Sequence, residues 1–179
     1  DNGGNNYLGQ RVVTKNGRVQ LAPVDFVQAV QQRIAQCFAQ DQQEIREPVF
    51  RLITKRERFS HNSWTHNHTS YIKGERHSNY LYMHPEDAVK LGLQDGDMAT
   101  VSSAAGSVTV PVHLTDDMMP QAVALPHGWG HQHYAGQSIA ATTTGVNANL
   151  LAADGPDAIE PLSGMVQFNG IRVRISKAA

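Results

Sequence analysis

The sequence predicts a mainly β domain, a barrel or a sandwich, accompanied by two helices. Many short segments alternate apolar and polar residues, and the clearest run contains Val108, Val110, Val112 and Leu114. Apolar residues recur at helical spacing over only one long stretch, residues 23–40. Because short strands outnumber helices, a barrel or sandwich is favoured over a wound α/β sheet.

Composition limits the classes of function. The chain has 179 residues, of which 40% are hydrophobic and 17% charged, as in one ordinary globular domain. No apolar run approaches the roughly 20 residues of a membrane span. The net charge of −1 excludes a broad basic surface for nucleic acid. A single cysteine excludes an internal disulfide and a multi-cysteine metal site. Without a signal-peptide pattern, a cytoplasmic location is expected, and a periplasmic location is the alternative because the sequence starts without an initiator Met.

The first quarter of the chain differs from the rest. Residues 1–10 are rich in Asn and Gly and predict a linker. Residues 11–21 predict a small hairpin around an Asn-Gly turn. Residues 23–40 predict an amphipathic helix whose apolar stripe includes Cys37. We therefore expect this cysteine to be a small buried hydrophobic residue.

The remaining elements follow from local signals. Pro85 suits the first position of a short helix, and Gly92 suits its left-handed cap. The turn at residues 95–97 contains a glycine between two aspartates. Strands or strand pairs are expected at residues 49–54, 81–83, 97–114, 122–125 and 171–175.

Two long irregular segments are the candidates for function. Loop one (residues 54–79) and loop two (residues 127–148) exceed the usual loop length, and such loops are commonly functional. Loop one carries Lys55, Arg56 and Arg58 together with hydroxyl and amide side chains. Backbone N–H groups and bidentate arginine in such a loop can bind a pyrophosphate.

Loop two has two interpretations. Its three histidines, His127, His131 and His133, are typical metal ligands, although no acidic or cysteine partner is fixed nearby. Alternatively, the intervening glycines bring the backbone close to a planar ligand, with His127 and Trp129 supplying stacking or hydrogen-bonding surface. The spacing alone leaves both open.

The run HPEDAVKLGLQDGD at residues 84–97, with the strand pair that follows it, resembles one known family. The family is the C-terminal dinucleotide-binding domain of molybdopterin oxidoreductases, the dimethyl sulfoxide reductase and formate dehydrogenase superfamily. Four further motifs match in order: Thr-x-Arg at 54–56, HNSW at 61–64, PHGWGH at 126–131 and NxNxL at 147–151. The resemblance implies a six-stranded double-psi β-barrel, mainly β with short helices.

The resemblance also implies a site for molybdopterin guanine dinucleotide, with molybdenum or tungsten held through the pterin. Asparagine amides suit a guanine edge or a pterin because they both donate and accept hydrogen bonds. Asn169 stands where many relatives have lysine, so it would hydrogen-bond a cofactor phosphate without a salt bridge. The implied cofactor-binding residues are Thr54, Arg56, His61, Asn62, Ser63, Trp64, His127, Trp129, Asn147, Asn149 and Asn169.

The sequence therefore predicts a cofactor-binding domain of a larger, formate dehydrogenase-like oxidoreductase. Residues 1–47 are assigned to a tail, connector and amphipathic helix, and residues 48–179 to the molybdopterin dinucleotide-binding barrel. No catalytic residue, metal ligand or iron–sulfur motif is assigned within the chain, so the fragment alone is expected to be inactive. The expected partners are the remaining domains of the same oxidoreductase and an electron-transfer subunit, with no nucleic acid or membrane insertion. The alternatives are a double-psi barrel adaptor and a histidine-based metal-binding protein.

Overall fold

The computed structural model describes residues 11–44, 49–60, 63–74, 76–160 and 162–178. The chain divides into two compact units, Asp1–Ile45 and Arg46–Ala179. The first unit contains helix α1, Val24–Glu44, of 21 residues. No helix within the described ranges combines the length and apolar character needed to cross a membrane.

Two sequence-based predictions for the first unit are wrong. Cys37 is exposed on α1 rather than buried. Phe26 and Ile34, on the predicted apolar stripe, are also about half exposed, at 48% and 51%. Residues 11–21 contain a turn, closed by the Gly17 N–H donating to the Thr14 carbonyl at 2.9 Å, but no strand. An isolated two-stranded hairpin is only marginally stable, so the turn signal did not suffice to form one.

The second unit is a closed barrel of six strands, which confirms the predicted fold class. The strands follow the order β1-β5-β2-β4-β3-β6 around the barrel. Their bounds are Phe50–Lys55 (β1), Leu81–Met83 (β2), Met98–Ser102 (β3), Ser107–Leu114 (β4), Ala122–Pro126 (β5) and Asn169–Lys177 (β6). Short 3₁₀ helices lie in the connections, at Ser63–Asn67, Ala140–Thr142, Ala148–Leu151 and Pro156–Ala158.

The strand order is repeated within the barrel. Replacing each strand by the one three places later in the chain leaves the order around the barrel unchanged. The two parallel pairs, β1 with β5 and β2 with β4, exchange under this replacement. The halves β1–β3 and β4–β6 are therefore interleaved equivalents, as the double-psi arrangement requires.

The core lies inside the barrel. Strand β4 alternates between exposed or half-buried and buried side chains up to Val112, as predicted for a strand with one face inward. The largest fully buried apolar side chains are Leu52, Leu81, Met83, Val101, Val110, Val112, Val123, Leu125, Leu151 and Val173. Their burial provides the main stabilisation of the barrel.

Helix α2, Pro85–Leu91, follows β2, with Pro85 and Gly92 in the predicted positions and a side-chain cap from His84 that was not predicted. The His84 side chain accepts the Glu86 N–H at 3.2 Å, and Pro85 occupies the first turn. Gly92 adopts the left-handed conformation with φ of 66°.

The parallel pairing of β1 with β5 brings the two long loops together. Lys55 at the end of β1 is in register with Pro126 at the end of β5. Since parallel neighbours end at the same rim, the chain enters both loops at adjacent points. The topology thereby places loop one beside loop two.

Candidate functional site

Hydrogen bonds from backbone N–H groups of loop two join it to loop one. The Asn67 Oδ1 accepts the N–H groups of Ile139 and Ala140, at 3.0 and 3.2 Å. The Thr144 N–H donates to the His77 carbonyl at 2.8 Å. These bonds satisfy backbone groups that irregular loops would otherwise leave without partners, and they fix one loop against the other.

Asn79, at the end of loop one, is hydrogen-bonded to backbone groups next to both ends of loop two. Its side chain is fully buried, with none of its surface exposed. The Nδ2 group donates to the carbonyls of Pro126 and Val146, at 2.8 and 3.0 Å. The Oδ1 accepts the Val146 N–H at 2.9 Å. One buried amide therefore meets three backbone groups at the two ends of loop two.

A cavity of about 320 Å³ lies between the loops, and we call it the polar cavity. It brings Ser63 of loop one to the same space as Asn147 of loop two and the adjoining Asn149. The described lining includes no Lys, Arg, Asp or Glu. Its residues are Ser63, Gly128, Trp129, Gly130, His131, Tyr134, Gln137, Asn147 and Asn149. Such a lining suits a ligand read by neutral hydrogen bonds and ring contacts.

Two glycines allow the close packing of loop two. Gly130 has φ of +100°, and a Cβ there would lie 2.7 Å from the Asn147 Cβ. A Cβ on Gly145 would lie 2.5 Å from the indole ring of Trp129. Both distances are shorter than real Cβ contacts, so a side chain at either position would displace a cavity-lining residue.

His66 supports Trp129 from the opposite loop. Their ring centroids are 4.1 Å apart, with the planes inclined at 36°. The His66 Nε2 is hydrogen-bonded to the buried Ser60 hydroxyl. Burial, and then the nearby His131 ring, lowers the pKa of His66 to about 4, so the imidazole is neutral near pH 7.

Three buried polar atoms around the polar cavity lack partners within the described part of the chain. They are Trp129 Nε1, His66 Nδ1 and Gln137 Oε1. Trp129 and Gln137 both line the cavity. Buried polar atoms are normally hydrogen-bonded, so a donor and an acceptor in this wall fit a polar ligand nearby.

A second, larger cavity of about 620 Å³ shares Trp129 with the polar cavity. Four cationic side chains line it: Lys55, Arg56, Arg58 and Arg76. We call it the cationic cavity. It extends along the barrel to Tyr82 of β2 and His113 of β4, and also contains Glu57 and Asp95.

The eleven sequence-predicted residues are thus distributed over several places. Ser63, Trp129, Asn147 and Asn149 meet at the polar cavity, whereas Arg56 and, again, Trp129 line the cationic cavity. The Trp64 side chain is 80% exposed and lines neither. His61 and Asn62 lie outside the described residues.

The other three predicted residues lie along the strand ends. Thr54 donates to the Asn169 Oδ1 through its backbone N–H at 3.0 Å and its hydroxyl at 3.3 Å. The Asn169 side chain therefore bridges β1 and β6, next to the register shift between Leu52 and Ile53. The His127 N–H donates to the Lys55 carbonyl at 3.2 Å and continues the pairing of β1 with β5.

Sequence reasoning missed residues whose role depends on distant partners. Asn67, Asn79 and Arg76 lie in the unpatterned part of loop one, and the residues they meet are remote in the chain. His66 was missed for the same reason, because the rings that it contacts, Trp129 and His131, are also remote in the chain.

The histidines of loop two do not form a metal site in the described structure. The His131 Nε2 donates to the Gly128 carbonyl at 2.7 Å. Within the described ranges, no group of three or more His, Cys, Asp or Glu side chains is placed to hold a metal ion.

The barrel and its two cavities define a ligand-binding domain built from rim loops. A family model described as "Molydopterin dinucleotide binding domain" matches residues 50–172. The chain belongs to this molybdopterin dinucleotide-binding family, as the motifs predicted.

Its curated relatives are much longer proteins. The molybdopterin-containing subunit ArrA of arsenate respiratory reductase from Shewanella sp. strain ANA-3 is 31% identical over 130 residues. That match covers 70% of this chain and 15% of the relative. ArrA from Chrysiogenes arsenatis is 33% identical over 95 residues, covering 49% of this chain and 11% of the relative. The chain therefore spans only a small part of these proteins.

A solved structure has the same fold. Acetylene hydratase from Pelobacter acetylenicus superposes with a TM-score of 0.60 at 21% identity. The match covers 72% of this chain and 18% of the hydratase. At this identity the likeness supports the architecture of the barrel.

Proposed function

We propose that the chain is the C-terminal cofactor-binding domain of a molybdenum or tungsten oxidoreductase. The observation that carries this proposal is the polar cavity, where Ser63, Asn147 and Asn149 converge from two loops in a chain of the dinucleotide-binding family. An adaptor function does not require such a cavity.

The residues of the polar cavity fit part of molybdopterin guanine dinucleotide. A volume of about 320 Å³ is at the lower end of ligand pockets and suits one ring system of the cofactor. Asn147, Asn149 and Gln137 would hydrogen-bond its polar edge, and Trp129 would contact its face. The remaining predicted residues, Thr54, Arg56, His61, Asn62, Trp64, His127 and Asn169, stay predictions for the rest of the ligand.

The domain's part in the reaction is to bind and orient. When bound, the cofactor supplies the redox chemistry at its metal. The polar cavity contributes neutral donors and acceptors, which position a ring without adding charge. We propose that the remaining domains of the same protein enclose the ligand, that an electron-transfer subunit completes the pathway, and that the protein is cytoplasmic.

The reaction of the whole protein is a separate proposal. Relatives are named as reductases of arsenate, tetrathionate and trimethylamine N-oxide. We retain a formate dehydrogenase-like activity as a prediction, to be tested against these reductions by assaying the full-length protein with formate and a redox dye. Reduction of arsenate together with no oxidation of formate would contradict the prediction.

Guanosine monophosphate is a practical probe of the proposed site. NMR titration of the 179-residue chain should move the indole N–H signal of Trp129 and the amide signals of Asn147 and Asn149. Asn149→Ala should weaken binding by about tenfold, the effect of one lost hydrogen bond to the ligand.

The matched control is Asn16→Ala, which removes an amide from the turn at residues 14–17, outside the barrel. It should bind like the parent chain. Absence of shifts at the polar cavity, or equal weakening in both variants, would contradict the proposed function.

A further inference from the structure

Helix α1 carries an exposed apolar face. Six apolar side chains recur at helical spacing, which aligns them along one side of the helix. Each Phe, Val and Ile among them is between 42% and 66% exposed, and the cysteine is exposed as well. We call these residues the apolar face: Phe26, Val27, Val30, Ile34, Cys37 and Phe38. An exposed apolar surface of this kind indicates a site of contact with another molecule.

The charge of α1 favours a protein as that partner. Three acidic residues and one arginine give the helix a net charge of −2. They are Asp25, Asp41, Glu44 and Arg33. Helices that bind anionic membranes or nucleic acid carry an excess of Lys and Arg instead. The apolar face therefore fits another apolar protein surface better than a lipid or nucleic-acid surface.

The apolar face is complementary to itself when two copies of α1 run in opposite directions. A two-fold axis at Gln32 relates the two copies, and residues equally far before and after Gln32 then lie level with each other. The resulting pairs between copies are Val27 with Cys37, Val30 with Ile34, and Phe26 with Phe38. Every member of the face thus meets an apolar side chain of the second copy.

Charge selects this direction over a parallel pair. Asp41 lies four positions after Cys37 and so continues the same side of the helix. In a parallel pair the two Asp41 carboxylates would face each other, and like charges repel. In the antiparallel pair, Asp41 lies level with Pro23, just before the helix begins, and meets no charge there.

We propose that α1 forms an antiparallel helix pair with α1 of a second copy of this chain. The apolar face exposes about 500 Å² per copy, so the pair buries about 1,000 Å² in total. That area is about the lower limit of a specific interface, and a weak dimer with a micromolar Kd is expected. The proposal concerns α1 alone and does not depend on the function proposed for the barrel.

Sedimentation equilibrium of the 179-residue chain tests the dimer. We expect monomer to convert to dimer as the concentration rises through about 10–100 µM. Ile34→Glu should weaken association by about a hundredfold or more, because it places two unpaired carboxylates in the interface. Gln36→Glu is the matched control, since it adds the same charge on the opposite side of α1. It should dimerise like the parent chain.

Circular dichroism verifies that both variants retain the helix. A chain that stays monomeric at about 300 µM, or equal weakening in the two variants, would overturn the proposal. Flotation of a monomeric chain with phosphatidylcholine–phosphatidylglycerol vesicles would assign the apolar face to a lipid surface instead, and would also overturn it.

Disulfide formation tests the direction of the pair. The two Cys37 residues of an antiparallel pair lie about 15 Å apart along the helix axis, too far for a disulfide. Val27→Cys places a thiol level with Cys37 of the second copy. Diamide, which takes up the two hydrogens lost by a pair of thiols, should therefore give a covalent dimer of this variant and none of the parent chain.

The control for the cross-link is Gln36→Cys, whose added thiol lies on the opposite side of α1. It should remain uncross-linked under the same conditions. A covalent dimer of the parent chain through Cys37 would indicate a parallel pair and overturn the antiparallel one. Equal cross-linking of Val27→Cys and Gln36→Cys would indicate random collision and overturn the pairing itself.

Discussion

Asn79 and Val146 form a reciprocal pair of hydrogen bonds between the two long loops. The Asn79 Nδ2 donates to the Val146 carbonyl at 3.0 Å, and the Val146 N–H donates back to the Asn79 Oδ1 at 2.9 Å. The pair is next to Asn147, which lines the polar cavity. The geometry of the cavity therefore depends on an amide that does not line it.

Replacing Asn79 by leucine should lower the free energy of unfolding by about 2–4 kcal/mol. The change removes a partner from one buried and two part-buried backbone groups, and each group that finds no replacement in protein or water costs about 1–3 kcal/mol. Urea denaturation measures the loss. Gln94→Ala removes an exposed amide and should change stability by less than about 0.5 kcal/mol. An equally small effect at Asn79 would contradict the role assigned to it.

Gly145→Ala should displace the Trp129 indole, because the new Cβ would lie 2.5 Å from the ring. We expect a loss of about 1–3 kcal/mol in stability, as for overpacked cores, and a changed indole N–H chemical shift. Gly136→Ala is the matched control, since nothing lies within 4 Å of a Cβ there. An unaltered indole signal in Gly145→Ala would show that the loop relaxes without moving the ring.

His66 should make stability depend on pH between its ordinary pKa and its lowered one. Its pKa falls from 6.5 to about 4 on folding because of burial and then His131. Between these values the unfolded chain takes up a proton that the folded chain does not bind, so stability is lost as the pH falls. The loss attributable to this group is about 3 kcal/mol over that range, and none arises above it.

Denaturation profiles at several pH values test this dependence. His66→Gln should reduce the slope between pH 6.5 and about 4, since glutamine does not titrate there. His133→Gln, at an exposed position, should retain the parent slope. If His66→Gln has the same slope as the parent chain, the buried neutral imidazole is not its source.

Asn169→Ala should destabilise the junction of β1 and β6 by about 1 kcal/mol, because the Thr54 N–H loses its acceptor. Asn169→Asp retains that acceptor and should be less destabilising. Hydrogen exchange at the Thr54 amide distinguishes the two variants. Equal protection in both would contradict the bridging role.

Local chemistry made much of the barrel predictable. Helix α2 formed where expected because Pro85, Gly92 and the charges of the first turn act over a few residues. The double-psi arrangement came instead from the motif resemblance, since the pairing of β1 with β5 joins segments about seventy positions apart. The repeated strand order has no counterpart repeat in the sequence.

The parts of the site that escaped prediction depend on tertiary contacts. The motif resemblance linked Asn169 to a cofactor phosphate, and the structure adds a contact that the motif did not predict, two hydrogen bonds that the Asn169 Oδ1 accepts from Thr54. Arg76 reaches the cationic cavity from a stretch without periodicity, and its position over Phe59 is set by the fold. Cys37 was predicted to be buried because it lies on the apolar stripe of its helix, but it is exposed. An apolar stripe is buried only where another element covers it.

The two interleaved halves give the barrel two equivalent open ends, or mouths. The connections between strands are much longer at one mouth than at the other. Connections 56–80 and 127–168 carry the loops, whereas their counterparts at the opposite mouth, 115–121 and 84–97, are a short turn and a capped helix. The scaffold thus places both long connections at one mouth and both short connections at the other. Extra residues inserted at 115–121 would enlarge the unused mouth without lengthening either segment that shapes the cavities.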